Sequence, residues 1–482
     1  MLNNPIVTLA SLQNLWPEIT VLLGAFFVLA VDIPLRADKE KGVVAWSSML
    51  ALGLALALLL RDWNSALSPA FPGMLLGGRL AQAARLVLLV IGALTIALSR
   101  RPATRLGLVH AEYYALLLFA IAAMMVFVAS ANLIVAFVVL ETFSLAMYVL
   151  AGFNRRDRAN REAALKYFLI GAFAAAFFLF GIAIFYGVTG SVSLETLPEL
   201  LKNLASDDPR RRMLMAALGM LLVGLGFKVG LAPFHLWAPD TYEGAPTPVT
   251  AFLSAGAKVA GFAMMAQMSL YFPFSHPAAV TMLGWLAVAT MTLANLGALR
   301  QQGIKRLLAY SSVAHSGYAL VALAGGAPSA PGAVLNYVLV YAVMNFAAFS
   351  LLLMLEESGS PVTFKEIQGL GFQRPFFGFC LAVTMFAMAG IPPTAGFVAK
   401  LNVFKSALEG GRSTLLVLAV LNSVISAAYY LRVLVALYMA PRTETQASPA
   451  FGGLTGAVLL ACVGLILAWG LFPAPLLSLS AF

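Results

Sequence analysis

Four ionisable side chains stand inside long apolar stretches of the sequence, namely Glu141, Lys228, Lys258 and Lys400. A charged side chain at the centre of a bilayer costs about 2.5 to 3.5 kcal/mol, so such groups usually face protein or water and mark ion routes. One glutamate cannot neutralise three lysines, and a buried lysine without a partner can release its proton near neutral pH. The set therefore predicts a proton relay. Buried ion pairs that only fix helix register are the alternative.

Three further residues could belong to the same relay. His315 falls in KRLLAYSSVAHSGYALVAL, and histidine is the side chain that titrates nearest neutrality, although it could equally be a neutral group bonded to a neighbouring helix. His235 follows Pro233 and could lie in a half-channel or cap freed carbonyls. Lys166 could feed or modulate Glu141, or extend harmlessly to the membrane interface.

Two of the apolar stretches that hold these residues contain helix-breaking sequences, FKVGLAPFHLWAPD from Phe227 and MAGIPPTAGFVAK from Met388. Proline removes a backbone donor, and the freed carbonyls are tolerated at membrane depth where they line a watery cavity. Lys228 comes just before the first break and Lys400 just after the second. Paired broken helices are typical of transporters built from inverted repeats, and a plain proline kink is the competing interpretation.

The amino-acid composition indicates the class of fold that must position these residues. The 482 residues are 61% hydrophobic and 10% charged, with a mean hydropathy of +0.91, which predicts an all-α integral membrane protein, because a membrane β-barrel would show short alternating segments instead. About 14 transmembrane helices are predicted, near residues 15–33, 43–60, 84–99, 113–129, 132–153, 164–187, 213–236, 247–270, 278–299, 304–325, 332–355, 376–406, 413–440 and 452–473.

These spans divide the chain into four predicted segments. Residues 1–112 form an N-terminal three-helix segment, 113–270 a first antiporter-like repeat of helices 4 to 8, 271–440 a second, inverted repeat of helices 9 to 13, and 441–482 hold helix 14. The broken helices are helices 7 and 12. The N-terminus lacks the positive region and cleavage site of a signal peptide, so the first apolar stretch is predicted to stay as helix 1.

The basic residues indicate the orientation in the membrane. Loops after odd-numbered helices carry 17 Lys and Arg, against 9 in the other loops when Arg61, Arg79 and Arg85 are counted there. The positive-inside bias places the first group in the cytoplasm and both termini outside, in the periplasm. The net charge of +10 is spread over loops rather than gathered on one soluble face, so nucleic acid is not an expected partner.

The sequence offers little for redox or metal chemistry. Cys380 and Cys462 both lie in apolar stretches and are predicted to be packing residues, since an iron-sulfur cluster needs four thiolates. No two histidines have the spacing of metal ligands, and there is no Walker loop and no GxGxxG after a strand. No cofactor is expected to bind to this chain.

Several segments, taken in order, resemble the N subunits of respiratory complex I, the NADH-quinone oxidoreductase. They are EAALKYFLIGAFAAAFFLFGIAIFYGVTGS from Glu162, GFKVGLAPFHLWAPDTYEGAPTPVTAFLS from Gly226, KRLLAYSSVAHSGY from Lys305 and GIPPTAGFVAKLNVF from Gly390. The resemblance covers helices 5 to 12, and it implies an antiporter-like fold with Glu141, Lys228, Lys258 and Lys400 as the proton-carrying groups. Lys166 matches the lysine of EAALKYF.

The resemblance also implies the surroundings. FMN, iron-sulfur clusters, NADH and quinone would belong to partner subunits, the M, K, J and L types would be membrane-arm neighbours, and the bacterial inner membrane would be the location. Three alternatives remain at this stage: an L- or M-type paralogue, a cation/proton antiporter subunit without redox coupling, and a scaffold that transports nothing. The form PFHLWAPDTYEGAPTP favours the N type over the L and M types.

Overall fold

A computed structural model describes residues 13–34, 42–63, 73–100, 106–108, 110–205, 207–272, 274, 276–356, 362–441 and 452–478. Its main helices are α1 (Trp16–Asp32), α2 (Gly42–Arg61), α3 (Arg79–Arg100), α4 (Ala111–Phe127), α5 (Leu133–Ala151), α6 (Arg158–Thr189), α7a (Pro209–Val229), α7b (Trp237–Gly244), α8 (Thr247–Met268), α9 (Pro277–Leu299), α10 (Ile304–Gly325), α11 (Ala330–Leu355), α12a (Pro375–Ala389), α12b (Ala395–Glu409), α13 (Ser413–Met439) and α14 (Gly453–Leu471). Short helices cover Leu197–Asn203, Phe364–Ile367, Leu370–Gln373 and Ala474–Ser478.

The structure confirms the all-α membrane class. Within the described ranges there is no strand, only three isolated β-bridges, and eleven helices are long and apolar enough to cross a membrane. Helices α4 and α12a are apolar but shorter. The count of 14 crossing helices therefore stays a prediction.

Burial separates central helices from peripheral ones. Helices α8, α10 and α11 are buried over almost their whole length, whereas fewer than half of the residues in the apolar stretches of α2, α6 and α13 are buried. A helix that faces lipid on one side is apolar there because the bilayer is its solvent, and a helix buried on all sides can hold polar groups that other helices satisfy. The central helices carry Lys258 and His315, and both side chains are buried.

The loops between successive helices lie alternately at the two ends of the bundle, and loops at the same end contact one another. At one end Arg306 contacts Glu243, and the amide of Ile304 donates to the carbonyl of Val362 at 2.9 Å. At the other end the amide of Leu133 donates to the carbonyl of Val192, also at 2.9 Å. The two backbone contacts occupy matching positions, before predicted helices 5 and 10, at opposite ends. Inverted repeats would give such a match, and the two repeats and their boundaries stay a prediction.

One predicted loop residue is placed differently by the structure. Arg85, counted among the loop residues, lies in the second turn of α3, where it is buried and contacts Glu18 of α1 with Nε 2.8 Å from Oε1. The predicted span of 84–99 already contained Arg85, but the charge count assigned this arginine to the preceding loop, and the span began five residues later than the observed helix. A carboxylate on the neighbouring helix offsets part of the cost of burying the guanidinium, so the helix begins earlier.

Several elements of the orientation prediction lie outside the described residues. They are the basic residues Arg36, Lys39, Lys41, Arg101, Arg105 and Arg442, together with both chain termini. The cysteines are described: Cys380 and Cys462 are both free and buried, which confirms the prediction that they pack in the interior.

Candidate functional site

The first helix break follows α7a and leaves backbone groups that other helices satisfy. Gly230 adopts a left-handed conformation with φ of 76°, and the amide of Leu231 donates to the carbonyl of Gly226 at 2.7 Å. The carbonyl of Val229, the last residue of α7a, accepts a hydrogen bond from the Ser316 hydroxyl of α10. The indole of Trp237 donates to the carbonyl of Phe227 at 3.1 Å. The break is thus stabilised by side chains from outside the helix.

Lys228 is the last-turn lysine of α7a, and aromatic rings surround its ammonium group. Nζ lies 3.3 Å from the hydroxyl of Tyr148, and it lies 5.0 to 5.7 Å from the ring centroids of Phe143, Tyr148, Tyr167 and Phe227. Ring faces attract a cation, more strongly when water is excluded. Among the described residues, this pocket offers Lys228 one hydroxyl and four ring faces, but no backbone carbonyl.

Glu141 of α5 is the carboxylate predicted to act with Lys228. Its Oε1 atom is buried and, within the described part of the chain, has no hydrogen-bond partner. No carboxylate of the described residues comes within 4.0 Å of the Lys228 ammonium, so the two charges do not form a closed ion pair. The two groups are near enough to interact electrostatically but are not in direct contact.

Lys258 of α8 points at the central helix α10. Its Nζ donates to the carbonyl of Ser312, and it lies 4.8 Å from the ring centroid of Tyr341. The Tyr341 hydroxyl in turn donates to the Ser312 hydroxyl at 2.8 Å. The lysine is thus placed at the middle of the bundle, beside a short chain of hydroxyl groups.

His315 of α10 is bonded on both ring nitrogens. Nδ1 lies 2.7 Å from the hydroxyl of Tyr337 and Nε2 lies 3.1 Å from the hydroxyl of Tyr430, which also bonds Ser311. A neutral imidazole has one donor and one acceptor nitrogen, so one tyrosine must donate to the ring while the other accepts from it. A proton that enters at one nitrogen can therefore leave at the other.

The tyrosines that flank His315 were not among the predicted site residues. Tyrosine hydroxyls buried in apolar helices need partners, so Tyr337 and Tyr430 could have been marked as candidates for some polar contact. Their sequence positions give no sign of which partner they have, because the contacts join α11 and α13 to α10.

Lys400 lies in α12b, beyond the second helix break. Its Nζ donates to the carbonyl of Ala389, the last residue of α12a, at 2.8 Å and to the hydroxyl of Ser423 at 2.9 Å. It also lies 4.8 Å from the ring centroid of Tyr318. Gly390 has φ of 83°, and a Cβ there would come within 2.7 Å of the Lys400 Cδ. A glycine is required at this position by both the backbone conformation and the approach of the lysine.

The structure brings these groups together along α10. Its residues Ser312, His315, Ser316 and Tyr318 contact, in turn, Lys258, the two tyrosines, the end of α7a and Lys400. Glu141, the three lysines and His315 do not contact one another directly among the described residues. Hydroxyl groups or water would have to bridge the gaps between them. Both can donate and accept hydrogen bonds, so both can relay a proton. The arrangement can hold and pass protons across the middle of the bundle.

Two predicted residues lie away from this row. Lys166 is 41% exposed and contacts Glu162 and Asp240, each at 2.7 Å, and Arg306 contacts the same aspartate at 2.9 Å. These charges connect α6, α7b and α10 at one end of the bundle, and Lys166 contacts neither Glu141 nor Lys228. His235 is buried between α7a and α7b, and its Nδ1 has no hydrogen-bond partner among the described residues.

The described residues contain no group of three His, Cys, Asp or Glu side chains able to hold a metal ion. Independently of this, the lysine, histidine, tyrosine and glutamate side chains of the site are all groups that can bind and release protons.

Comparison with known proteins identifies the family to which the chain is similar. A family model described as NADH:quinone oxidoreductase/Mrp antiporter, TM, matches residues 130–426. The chain is 39% identical over 438 residues to NADH-quinone oxidoreductase subunit N of Trichlorobacter lovleyi, an alignment that covers 90% of this chain and 89% of the relative.

Two solved structures superpose on almost the whole chain. A chain of respiratory complex I from Thermus thermophilus, determined with bound aureothin, superposes with a TM-score of 0.80 at 35% identity, covering 96% of this chain and 98% of that one. A chain of the Mrp complex from Dietzia superposes with a TM-score of 0.82 at 22% identity, covering 98% and 96% of the two chains, and shares the fold.

Proposed function

The chain belongs to the NADH-quinone oxidoreductase subunit N family, and we propose on that premise that its row of buried ionisable groups is the proton route. Members of this family are antiporter-like, proton-translocating subunits of the membrane arm. The observation that carries the proposal is the burial of Lys228, Lys258, His315 and Lys400. Lys258 and Lys400 contact α10, which carries His315, and Lys228 lies at the end of α7a that Ser316 of α10 caps. Buried charges lower the stability of a membrane protein, and ionisable residues inside the membrane therefore usually have a transport or other functional role.

In the proposed mechanism the charge of Glu141 stabilises the protonated form of Lys228. Because the two groups are not in contact, a small change in their separation alters that stabilisation. When it weakens, the proton passes through Lys258 and the hydroxyl groups of α10 to His315 and Lys400. From Lys400 the proton leaves toward the opposite side of the membrane. Lys166 and His235 would tune entry at the cytoplasmic end.

The proton movement would be driven by quinone reduction in partner subunits. The M, K, J and L types are the proposed neighbours in the membrane arm, and they or the peripheral subunits would hold FMN, iron-sulfur clusters, NADH and quinone. The bacterial inner membrane is the proposed location, with both termini in the periplasm. Transmission of the driving force along the arm requires a two-state element that both sites bias.

The central test replaces the two members of the proposed charge pair. In Lys228→Ala and Glu141→Ala complexes we expect NADH-driven proton uptake into vesicles, normalised to assembled complex, to fall at least about tenfold, or ~1.4 kcal/mol in the barrier. The double variant should be no worse than either single variant if the residues act as a unit. Lys202→Ala, an exposed lysine in a connecting helix, serves as the control. Normal pumping in assembled Lys228→Ala complexes would contradict the relay.

Two simpler experiments test the setting. Affinity purification of the tagged chain should recover NADH dehydrogenase subunits, and their absence would favour an antiporter without redox coupling.

For orientation, single cysteines at positions 157 and 207 should be labelled from the cytoplasm and the periplasm respectively. The native cysteines are buried and contribute little background. Labelling from outside at 157 and not at 207 would reverse the proposed topology.

A further inference from the structure

A cavity of about 590 Å³ with one charged and two polar side chains in its walls opens at the end of the bundle away from the Lys166 cluster. Its walls come from Arg79 at the start of α3, Gln267 at the end of α8, and the residues that lead into α11, with Ser329 among them. Arg79 is exposed and forms no ion pair with any described carboxylate. Gln267 is only 3% exposed, and it lines the cavity. A buried amide and an unpaired guanidinium face one empty volume.

The polar contacts around this cavity favour an anion. The Ser329 hydroxyl is directed to Glu409, whose carboxylate does not line the cavity. The cavity walls themselves carry no acidic side chain. Guanidinium groups bind phosphate through two parallel hydrogen bonds, and an amide can donate to a third oxygen.

A separate apolar cleft lies farther along the same two helices, α3 and α11. The cleft, with a volume of about 240 Å³, is lined on α3 by residues from Ala83 to Leu94 and on α11 by residues from Leu335 to Phe346. Leu465 and Trp469 of α14 form its third wall. Val90 and Leu465 are 43% and 39% exposed, so the cleft is open along the lipid-facing side. It uses a different face of α11 from Tyr337 and Tyr341, and it does not join the proton route.

The dimensions of the cleft match a lipid chain. Residues 83 to 94 of a helix rise by roughly 17 Å, and half of the hydrocarbon core of a bilayer measures about 15 Å. A polar site for an anion thus lies at the membrane surface, directly above an apolar cleft one leaflet deep. We propose that a phospholipid binds here, with its headgroup phosphate on Arg79 and Gln267 and an acyl chain between α3, α11 and α14.

The proposal assigns a site outside the proton route and does not depend on that route. A lipid held there would connect the N-terminal three-helix segment to α11 and α14. Occupancy should therefore raise the thermal stability of the assembled complex, because a ligand that binds only the folded state stabilises it.

The test uses the purified, assembled complex and a phosphatidylglycerol that carries a diazirine on its acyl chain. After irradiation, we expect peptides of α3 and α11 that line the cleft to carry the lipid adduct. Arg79→Gln should lower that labelling at least about tenfold, the size expected for a charge-assisted hydrogen bond. Val90→Trp, which places a bulky ring at the open side of the cleft, should lower it as well.

Two matched variants serve as controls. Arg61→Gln removes an exposed arginine at the same end that is already paired with Asp62, and Val424→Trp adds a ring to an exposed position on α13. Neither should change labelling of the cleft. Adducts in the cleft that are lost in Arg79→Gln and retained in Arg61→Gln support the proposal. It would be overturned by adducts confined to other surfaces, by equal labelling in all variants, or by displacement of the lipid with inorganic phosphate alone.

Discussion

The two helix breaks share a backbone design and differ in what caps it. Each first half ends in a left-handed glycine, Gly230 after α7a and Gly390 after α12a, and each is followed by proline. The last carbonyl of α7a accepts from the Ser316 hydroxyl, whereas the last carbonyl of α12a accepts from the Lys400 ammonium. The same orphan acceptor is thus satisfied by a neutral group at one break and by a charged group at the other.

This difference separates the two lysines. Lys400 has a backbone carbonyl and a serine hydroxyl as acceptors, and it lies at the negative end of the α12a dipole. Lys228, in a pocket of aromatic rings, has one tyrosine hydroxyl. We infer that the charged form of Lys228 depends on Glu141, while the charged form of Lys400 is supported by the break itself. Lys228 would then be the group that responds to a change in charge, and Lys400 the group that receives the proton.

The largest expected effect is at Lys400, where the capping and transport roles can be separated. Arginine keeps the charge and can still cap Ala389, yet it does not release a proton at accessible pH. Lys400→Arg should assemble normally and slow NADH-driven proton uptake more than about tenfold. Lys400→His and Lys400→Glu should retain part of the activity. Full activity in the arginine variant with loss in the histidine variant would show that Lys400 only holds the helices together.

A second comparison uses the glycines of the breaks. Alanine at either position must adopt a left-handed conformation, at a cost of about 1 to 2 kcal/mol. At Gly390 the new Cβ would also displace Lys400, whereas at Gly230 its nearest neighbour is Val313 Cγ2 at 3.7 Å. Gly390→Ala should therefore lower proton uptake several-fold more than Gly230→Ala, at a similar loss of thermal stability. Equal losses of uptake in the two variants would mean that the position of Lys400 is unimportant.

A third comparison concerns adjacent tyrosines of α13. The Tyr430 hydroxyl bonds His315, while the Tyr429 hydroxyl donates to Asn295 at 3.1 Å. Phenylalanine preserves the ring and removes only the hydroxyl. Tyr430→Phe should slow proton uptake about two- to tenfold, the size of one hydrogen bond. Tyr429→Phe should affect stability and leave uptake per assembled complex unchanged. The reverse order would place the proton route on the Asn295 side.

The smallest effect is expected from variants in the two matched loops at opposite ends of the bundle, those that hold Ser193 and Thr363. Ser193 and Thr363 each cap the short helical turn that follows, and Thr363 adds a reciprocal bond with Glu366. Removal of such a cap costs about 1 kcal/mol, so Thr363→Ala and Ser193→Ala should each lower the melting temperature slightly, the former more. Differential scanning calorimetry of the assembled complexes would measure both. A larger loss in Ser193→Ala would show that the reciprocal bond adds nothing.

The Thr363 cap should also depend on pH. Burial acts to raise the pKa of Glu366, but hydrogen bonds from Thr363 prevail and hold that pKa below its ordinary value. The stabilisation is therefore complete above the ordinary pKa of glutamate and is lost as pH falls through the lowered value. The difference between wild type and Thr363→Ala should be constant near neutrality and shrink in acid, whereas the Ser193→Ala difference should not.

The sequence by itself determined the membrane class, the two breaks and the main ionisable residues. Apolar runs, proline and buried charge are local properties with large free energies, so they can be identified without knowledge of the neighbours. The partners of those residues were decided only by the tertiary structure. The Ser316 bond to Val229, the two tyrosines on His315, and the pairing of Arg85 with Glu18 join residues that are distant in sequence, and the Lys400 bond to Ala389 joins the two halves of one broken helix. Arg85 was misplaced for this reason: hydropathy gives every arginine the same cost, and only a packed neighbour reduces it.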